Sequence, residues 1–488
     1  MFLPKVVITL LFFSMATKAA RILAFFPFPS ISHQYVFRPL TLELSRRGHD
    51  VTVVTTDPRF APGTSPENFT EIDVHEISYN IFQKIINSHT GEENKSLFYI
   101  KLMMELLTDV LKAQLQVPEV KRLLKEKFDL LIVEAVVTQA LALGHILNVP
   151  IIQISSLGSV PYQFRDMSGP VHPLLYPSCL SFKIHNTSIY DQLMEYDRYI
   201  KLYDIFITSQ YNEIHALRRY FGNDLPPYEE LVKRVQLLFL NEHPIWGHNR
   251  PIPRNLVYIG GIHQRPEKEI SKELKTFLNS SSNGVIYVSF GTSIKTSALP
   301  SEKVQIMANV LSKLPYNVLW RFTEDTVPIQ SKNIKFSKWF PQPDLLKHPN
   351  VKLFITQGGL QSTEEAINAG VPLVGFPILG DQWYNAQNYL VHKIGLQLNI
   401  MTLTEEAFRH SVETVISDKS YKENILKLKQ RMRDCPVKPL DSAVWWVEHI
   451  LRHGSSHLQS FAVGRTSISE YYESTLVLLC LPLRDSAE

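Results

Sequence analysis

Short apolar runs alternate along the chain with longer segments in which apolar residues recur every three or four positions. Such short runs are typical of buried parallel strands, and the longer segments are typical of helices. The alternation therefore predicts two consecutive α/β units, each built on a parallel sheet. Predicted strands cover residues 21–26, 51–55, 129–133, 151–154, 284–290, 318–322, 351–356 and 372–376. Predicted helices cover residues 35–47, most of 77–126, and 137–147, 191–221, 300–314, 362–369, 404–417, 421–433 and 440–452.

Two loops follow neighbouring predicted strands in the second unit. The first is Gln357-Gly358-Gly359, and Ser362 is expected to supply a hydroxyl at the start of the next helix. Gly370 is expected to end that helix, and residues 377–381 form the second loop. Open α/β sheets bind ligands at the carboxyl ends of their strands, and a helix N-terminus attracts phosphate. These loops therefore predict a phosphate site.

The side chains around these loops match the parts of a nucleotide sugar. Trp339 offers a flat apolar face for a base, and Gln342 offers polar atoms for the base edge or the ribose. Glu365 offers a carboxylate for the ribose diol, and Asp381 with Gln382 offers hydrogen-bonding groups for sugar hydroxyls. An alternative interpretation is a generic nucleotide-binding half-domain whose glycines and prolines only form turns.

The segment 338–388 resembles the donor-binding signature of the UDP-glycosyltransferases, which conjugate small lipophilic acceptors, and the resemblance is closest to the insect branch. One position departs from the family pattern. The family usually has His before the Gly-Gly pair, whereas this chain has Gln357, whose amide donates hydrogen bonds but carries no charge. The matching elements are W-x-P-Q at 339–342, G-G-x-x-S-x-x-E at 358–365, G-V-P at 370–372 and D-Q at 381–382.

The resemblance implies the GT-B architecture, in which two Rossmann-like domains face a cleft and a C-terminal helix crosses back to brace the first domain. It implies a UDP-sugar as co-substrate and no prosthetic group, with glucose as the first expectation and glucuronic acid as the second. Ser289 and Thr292 in the SFGTS loop are expected to hold the diphosphate, together with Gly359 and Ser362.

The acceptor hydroxyl is a weak nucleophile at neutral pH and needs a base within hydrogen-bond reach. His33, predicted to lie on a loop after the first strand, matches the family's catalytic base, although a histidine here also suits helix capping or packing. The family orients this base with an Asp, and in FDLLIVEA the matching residue is Glu134. Asp129 is the alternative orienting carboxylate.

No Asp-x-Asp pair occurs in the sequence, so we expect a metal-independent reaction in which helix N-termini stabilise the diphosphate. Direct displacement by the acceptor would invert the anomeric centre.

The apolar positions between residues 97 and 111 either line a lipophilic pocket or pack in the core.

Composition limits the remaining classes. The chain has 488 residues, which suits two domains, and a formal net charge of +3, which gives no reason to expect nucleic acid binding. Three cysteines form no disulfide framework or zinc pattern.

Non-catalytic nucleotide-sugar binding as a regulatory partner of an active glycosyltransferase remains an alternative function. A glucan-type transferase or phosphorylase is a weaker one, and a homo-oligomer is possible.

The start of the chain resembles a secretory signal peptide, with Lys5 before an apolar core. Four N-x-S/T triplets then suggest a glycoprotein of the endoplasmic reticulum lumen or a secreted one. The family's usual membrane-spanning helix has no counterpart in the last residues, so at most a peripheral membrane contact is expected, with membrane anchoring as in typical family members as the alternative. The candidate glycosylation sites are Asn68, Asn94, Asn186 and Asn279. The expected layout is a signal peptide (1–19), an acceptor-binding domain (20–240), an interdomain linker (241–265), a UDP-sugar-binding domain (266–440), a bracing helix (441–460) and an atypical tail (461–488).

Overall fold

The computed structural model describes residues 19–86, 92, 95–158, 160–292, 298–324 and 326–458. Residues 1–18 of the predicted signal peptide, Asn94 and the tail from residue 459 onward lie outside the described residues. Within the described ranges no helix is both long enough and apolar enough to cross a membrane.

The first half of the chain forms a parallel sheet of seven strands in the order β3-β2-β1-β4-β5-β6-β7. Most of its strand residues are buried, because helices cover both faces of a parallel sheet. The strands are β1 (Arg21–Phe26), β2 (Asp50–Thr55), β3 (Phe69–Asp73), β4 (Leu130–Glu134), β5 (Ile151–Ser155), β6 (Val235–Leu240) and β7 (Leu256–Tyr258). The helices are α1 (Ile31–Arg46), α2 (His75–Ile86), α3 (Ser96–Gln114), α4 (Pro118–Leu123), α5 (Leu141–Ile146), α6 (Pro161–Asp166), α7 (Ile189–Phe221) and α8 (Tyr228–Val232).

The second half forms a parallel sheet of six strands in the order β10-β9-β8-β11-β12-β13. Its strands are β8 (Val285–Ser289), β9 (Asn317–Arg321), β10 (Ile334–Ser337), β11 (Val351–Thr356), β12 (Leu373–Gly375) and β13 (Gly395–Gln397). Its helices are α9 (Lys272–Ser280), α10 (Ser301–Lys313), α11 (Gln342–Leu345), α12 (Leu360–Ala369), α13 (Gln382–Val391), α14 (Glu405–Ser417) and α15 (Lys419–Arg433). A last helix, α16 (Pro439–His453), follows.

Strand order reverses once in each sheet, between β1 and β4 in the first and between β8 and β11 in the second. At such a point the two following connections leave on opposite sides and open a crevice at the carboxyl ends of the strands. The two crevices face each other, because one cavity is lined by residues of both halves. This arrangement decides where the functional side chains can meet.

Helix α16 crosses back to the first half and packs on α1. Val444 and Val447 share a buried cluster with Ile22 and Val36, and Glu448 pairs with Arg47 at 3.3 Å. The expectation of a C-terminal bracing helix is therefore confirmed.

Several element boundaries differ from the prediction. His33 lies in the first turn of α1 rather than on a loop, because Ser30 is extended and its carbonyl accepts the His33 N–H at 3.1 Å. Helix α12 begins at Leu360 with Gly359 as its N-cap, so Ser362 is inside the first turn and not at the cap. Gly370 adopts φ 73° and ends α12 as predicted.

The prediction also missed some elements. Strands β3, β6, β7, β10 and β13 were not expected, and neither was helix α6. The segment 241–265 contains β7, which pairs with β6 at the edge of the first sheet. The short strands offer too few residues for a periodic pattern, whereas β6 (VQLLFL) carried a clear apolar signal.

Candidate active site

A cavity of about 1190 Å³ lies between the two halves of the molecule. It brings together side chains that follow β1, β8, β11 and β12, which are remote in the sequence. The predicted site residues that line it are His33, Ser289, Thr292, Trp339, Gln342, Gln357, Gly359, Ser362, Glu365, Asp381 and Gln382. Glu134 lies behind this surface and reaches the cavity through His33.

His33 and Glu134 form a hydrogen-bonded pair between Nδ1 and Oε1. The Glu134 carboxyl group at the end of β4 is inaccessible to solvent, and its burial raises its pKa, an effect that the His33 imidazole opposes. The imidazole stacks on Phe28, with ring centroids 4.5 Å apart. With Nδ1 engaged, Nε2 is the remaining ring nitrogen for a proton transfer. The longer Glu134 side chain thus reaches the imidazole from the position where the family has Asp.

Asp129, the alternative orienting carboxylate, does not contact His33. Its Oδ2 accepts the backbone N–H of Arg21 at 2.8 Å, where β1 begins. It therefore lies at the amino end of the strands, away from the cavity, and structures the sheet edge.

Asp381 faces the same cavity from the second half. Burial raises its pKa to about 6, while the Asn385 amide, 2.9 Å from Oδ2, and the charge of His33 lower it. His33 and Asp381 both line this cavity, so the two side chains share one crevice. The amide of Asn385 was not recognised from the sequence as part of the site.

Gln342, Ser362 and Glu365 form a small hydrogen-bonded group. The Gln342 amide donates to Glu365 Oε2 at 2.8 Å and to Ser362 Oγ at 3.0 Å. Burial raises the pKa of Glu365 to about 7, and the Gln342 bond opposes this rise. The Gln342 amide nitrogen is thus occupied within the protein, and it orients a carboxylate that a ribose diol could approach.

Trp339 presents a half-exposed ring, with 56% of the residue accessible. The Arg321 guanidinium lies 5.4 Å from its centroid, and Arg321 Nη1 donates to the Gly291 carbonyl. Arg321 also lines the cavity. The prediction did not include Arg321, although its position at the carboxyl end of β9, beside β8, was a signal for it.

The two glycine loops meet at Gln357. Gly291 adopts φ 69°, and a Cβ there would overlap the Gln357 amide nitrogen. Ser289 Oγ accepts the Gly291 N–H at 3.4 Å, and Gln357 is 6% exposed. The missing side chain at Gly291 therefore leaves space for the amide that replaces the usual histidine.

Gln382 has an internal function that the sequence did not indicate. Its Oε1 accepts the backbone N–H groups of Ile378 and Leu379 at 2.8 and 2.9 Å. This carbonyl shapes the loop before Asp381, so Nε2 is the atom left for a ligand.

The first half contributes an apolar wall to the cavity. Ile100 and Met103 of α3 belong to it, whereas Leu107 and Leu111 on the same helix pack in the core. Both interpretations of the apolar face at 97–111 therefore hold for different residues. Other apolar side chains of the wall include Phe28, Phe82, Tyr99, Val136, Leu157, Val160, Tyr162, Leu180 and Phe206.

The three described glycosylation triplets differ in accessibility. Asn186 and Asn279 are exposed. The Asn68 amide nitrogen instead donates to the Ser45 and His49 carbonyls at 2.6 and 2.9 Å.

Among the described residues no group of three or more His, Cys, Asp or Glu side chains is arranged to hold a metal ion.

Two facing Rossmann-like domains with a crossing C-terminal helix define a glycosyltransferase of the GT-B class. The family model for UDP-glucuronosyl and UDP-glucosyl transferases matches residues 23–472, and the chain belongs to this family. It is therefore an enzyme that transfers a sugar from a UDP-sugar, which is its co-substrate.

Known proteins similar to the chain agree with this assignment. An ecdysteroid UDP-glucosyltransferase of Spodoptera littoralis nuclear polyhedrosis virus is 35% identical, over 94% of this chain and 93% of the viral protein. Human UDP-glucuronosyltransferase 2B17 is 29% identical, over 92% and 88%. The crystal structure of a UDP-glucose:anthocyanidin 3-O-glucosyltransferase in complex with UDP has a TM-score of 0.60 at 18% identity, covering 89% of this chain and 99% of that one. At that identity the structural match shows the fold alone.

Proposed function

We propose that the enzyme transfers glucose from UDP-glucose to a hydroxyl of a small lipophilic acceptor, with inversion and without a metal ion. The observation that carries this proposal is the pairing of His33 with the buried Glu134 on the wall of the cavity that the donor loops and Asp381 also line. A base, its orienting carboxylate and a sugar-binding carboxylate thus surround one space.

In this mechanism His33 Nε2 accepts the proton of the acceptor hydroxyl. The oxygen forms a bond to the anomeric carbon as the bond to the UDP oxygen breaks, so UDP leaves with the electron pair. Glu134 holds the imidazole with Nε2 unprotonated and stabilises the imidazolium that forms. Attack opposite the leaving group turns an α-linked donor into a β-glycoside.

The donor roles follow from the geometry of the second half. Trp339 stacks on uracil, and Glu365, oriented by Gln342, binds the ribose diol. Asp381 and Gln382 Nε2 bind sugar hydroxyls.

The diphosphate lies between the two glycine loops and the N-terminus of α12. Ser289 and Thr292 bind it from one loop, and Gln357, Gly359 and Ser362 bind it from the other. Arg321, whose Nη1 donates to the Gly291 carbonyl, supplies the positive charge that an amide at 357 lacks.

Glucose and a lipophilic acceptor are supported by the relatives and by the apolar wall. The viral relative and a 32%-identical protein of Dactylopius coccus are both named UDP-glucosyltransferases, and the viral name specifies ecdysteroids. A cavity wall rich in aromatic and aliphatic side chains suits rigid apolar alcohols such as sterols and phenols.

The purified enzyme is incubated with UDP-glucose or UDP-glucuronic acid and a panel of phenols and an ecdysteroid, with and without EDTA. We expect β-glucosides by NMR, unaffected by EDTA, and a loss of turnover in His33→Ala of about a thousandfold. His410→Ala, on the exposed surface of α14, is the matched control and should retain activity. Saturable UDP-glucose binding without turnover of any acceptor would refute the proposal in favour of a non-catalytic binder.

We also propose that the chain enters the secretory pathway and carries glycans at Asn186 and Asn279. In the fold Asn68 uses its amide for two hydrogen bonds, so a glycan there would have to break them. Mass spectrometry after deglycosylation of protein expressed in insect cells should find both exposed sites modified and Asn68 unmodified. Unmodified Asn186 and Asn279 in secreted protein would contradict this.

A further inference from the structure

Asn385 on α13 is a buried amide that joins three parts of the site. It is 2% exposed, and its Nδ2 donates to Asp381 Oδ2 and to the Gly358 carbonyl, each at 2.9 Å. Its Oδ1 accepts the indole N–H of Trp246 at 2.9 Å. Both ends of the amide are therefore engaged, and one end holds the carboxylate that faces the donor sugar.

Trp246 belongs to the loop between β6 and β7, at the edge of the first sheet. The residue is 1% exposed, and its carbonyl accepts the Tyr384 hydroxyl at 3.0 Å. Its ring also stacks on His392, with centroids 5.4 Å apart and an interplanar angle of 18°. Helix α13 and its C-terminal residue His392 thus contact the β6–β7 loop of the first half at three points, and Asn385 is the contact that continues to Asp381.

We propose that Asn385 is a positioning residue for sugar binding: its amide holds the Asp381 carboxylate toward the donor sugar and transmits to it the position of the first domain through Trp246. This inference rests on the proposed function, because it takes Asp381 to bind the sugar of UDP-glucose. Asn385 itself does not line the cavity, so it acts only through Asp381 and the Gly358 loop.

The chemistry of an amide explains why this position needs Asn. The group must donate to a carboxylate and to a carbonyl and must accept from an indole N–H, and among short side chains only Asn combines these functions. Aspartate has no donor for either oxygen and would place a second negative charge beside Asp381. The titratable groups that interact with Asp381 are His33 on α1, Glu242 in the loop between β6 and β7, Cys179, and Tyr389 on α13. Any pH effect has to be interpreted against these four groups.

The test measures donor KM, kcat, the pH profile of kcat/KM and calorimetric affinities for UDP-glucose and UDP. For Asn385→Ala we expect about a tenfold rise in the UDP-glucose KM, the effect of one hydrogen bond to a charged group, with UDP affinity within about twofold. The acid limb of the profile should move to higher pH, because Asp381 loses a donor that stabilises its ionised form. Asn385→Asp should shift both quantities further, and Trp246→Phe should shift them less in the same direction.

Asn388→Ala is the control for a merely structural effect. Asn388 is fully buried on the same helix and donates to the Tyr384 carbonyl at 3.2 Å. The Asn388→Ala substitution should lower the melting temperature as Asn385→Ala does, while leaving the donor KM and the pH profile unchanged. An Asn385→Ala enzyme with the wild-type KM and pH profile would overturn the proposal, as would equal losses of UDP and UDP-glucose affinity.

Failure of the proposed function itself is recognised separately. If the proposed function is wrong, the wild-type enzyme itself will transfer no glucose, or will bind UDP-glucose and UDP without distinguishing them. Either result is seen before any variant is compared.

Discussion

Replacing Glu134 by Gln tests whether the buried carboxylate makes His33 an effective base. The change keeps the size of the side chain and removes its charge. A Gln amide that donates to Nδ1 would also favour the tautomer with a proton on Nε2, which cannot accept the acceptor proton. The substitution should therefore act on the chemical step and leave donor binding alone.

The expected magnitude follows from the ion pair that forms during reaction. Two unit charges about 4 Å apart attract by about 4 kcal/mol at an effective dielectric constant of about 20. Glu134 is fully buried and bonded directly to the imidazole, so this value applies to the His33 imidazolium. Loss of that stabilisation in the transition state lowers kcat about a thousandfold, at about tenfold for each 1.4 kcal/mol.

The assay is the initial rate of glucoside formation under saturating acceptor, with UDP affinity measured separately as a check of folding. Glu134→Asp should lose about a hundredfold, because the carboxylate withdraws by about one bond length and displacement on that scale disrupts alignment. Both variants should bind UDP as the wild type does.

A second buried carboxyl group provides the matched control. Glu213 accepts the Thr138 hydroxyl at 2.7 Å, and burial raises its pKa to about 8, so it is protonated at neutral pH. Glu213→Gln preserves this bond and should leave kcat within about twofold. If Glu134→Gln kept more than a tenth of wild-type kcat while His33→Ala was inactive, the assignment of Glu134 as the orienting carboxylate would be wrong.

Three further predictions concern the donor side. Since Asp381 has a pKa of about 6 in the fold, the UDP-glucose KM should rise as pH falls through about 6, and Asp381→Asn should abolish this dependence. Trp339→Ala should weaken UDP binding about tenfold to a hundredfold by calorimetry, the range for base–aromatic stacking, without lowering the melting temperature of a half-exposed site. Gly291→Ala should weaken UDP binding at least about tenfold, because its Cβ would displace the Gln357 amide and φ 69° disfavours any side chain.

Each of these predictions has its own control. Gly63 also has a positive φ, 78°, but a Cβ there would meet nothing within 4 Å. Gly63→Ala therefore isolates the effect of backbone strain and should leave UDP binding intact. Burial raises the pKa of Asp381 above its unfolded value of about 4, so ionising it costs folding free energy. Stability of the free enzyme should therefore fall as pH rises from about 4 to about 6, and less so in Asp381→Asn. A Trp339→Ala variant that bound UDP normally would contradict the stacking role.

Local pattern and the family signature were sufficient to predict much of the fold and many of the side chains that line the cavity. The apolar runs at β1, β4, β8 and β11 predicted buried parallel strands, and Gly370 predicted the end of α12. The donor signature predicted which side chains line the cavity, since loops at the carboxyl ends of parallel strands are where ligands bind. The sequence by itself therefore determined the features that depend on residue spacing within a short segment.

Contacts between distant residues were decided only by the tertiary structure. Glu134 meets His33 across 101 positions because β1 and β4 are neighbours at the strand-order reversal, and Asn385 meets Trp246 across 139 because the loop between β6 and β7 packs on α13. The internal bonds of Gln342 and Gln382 also depend on this packing. The physical reason is that strand order and domain contact are set by burial of the whole apolar surface, which no local pattern of residues contains.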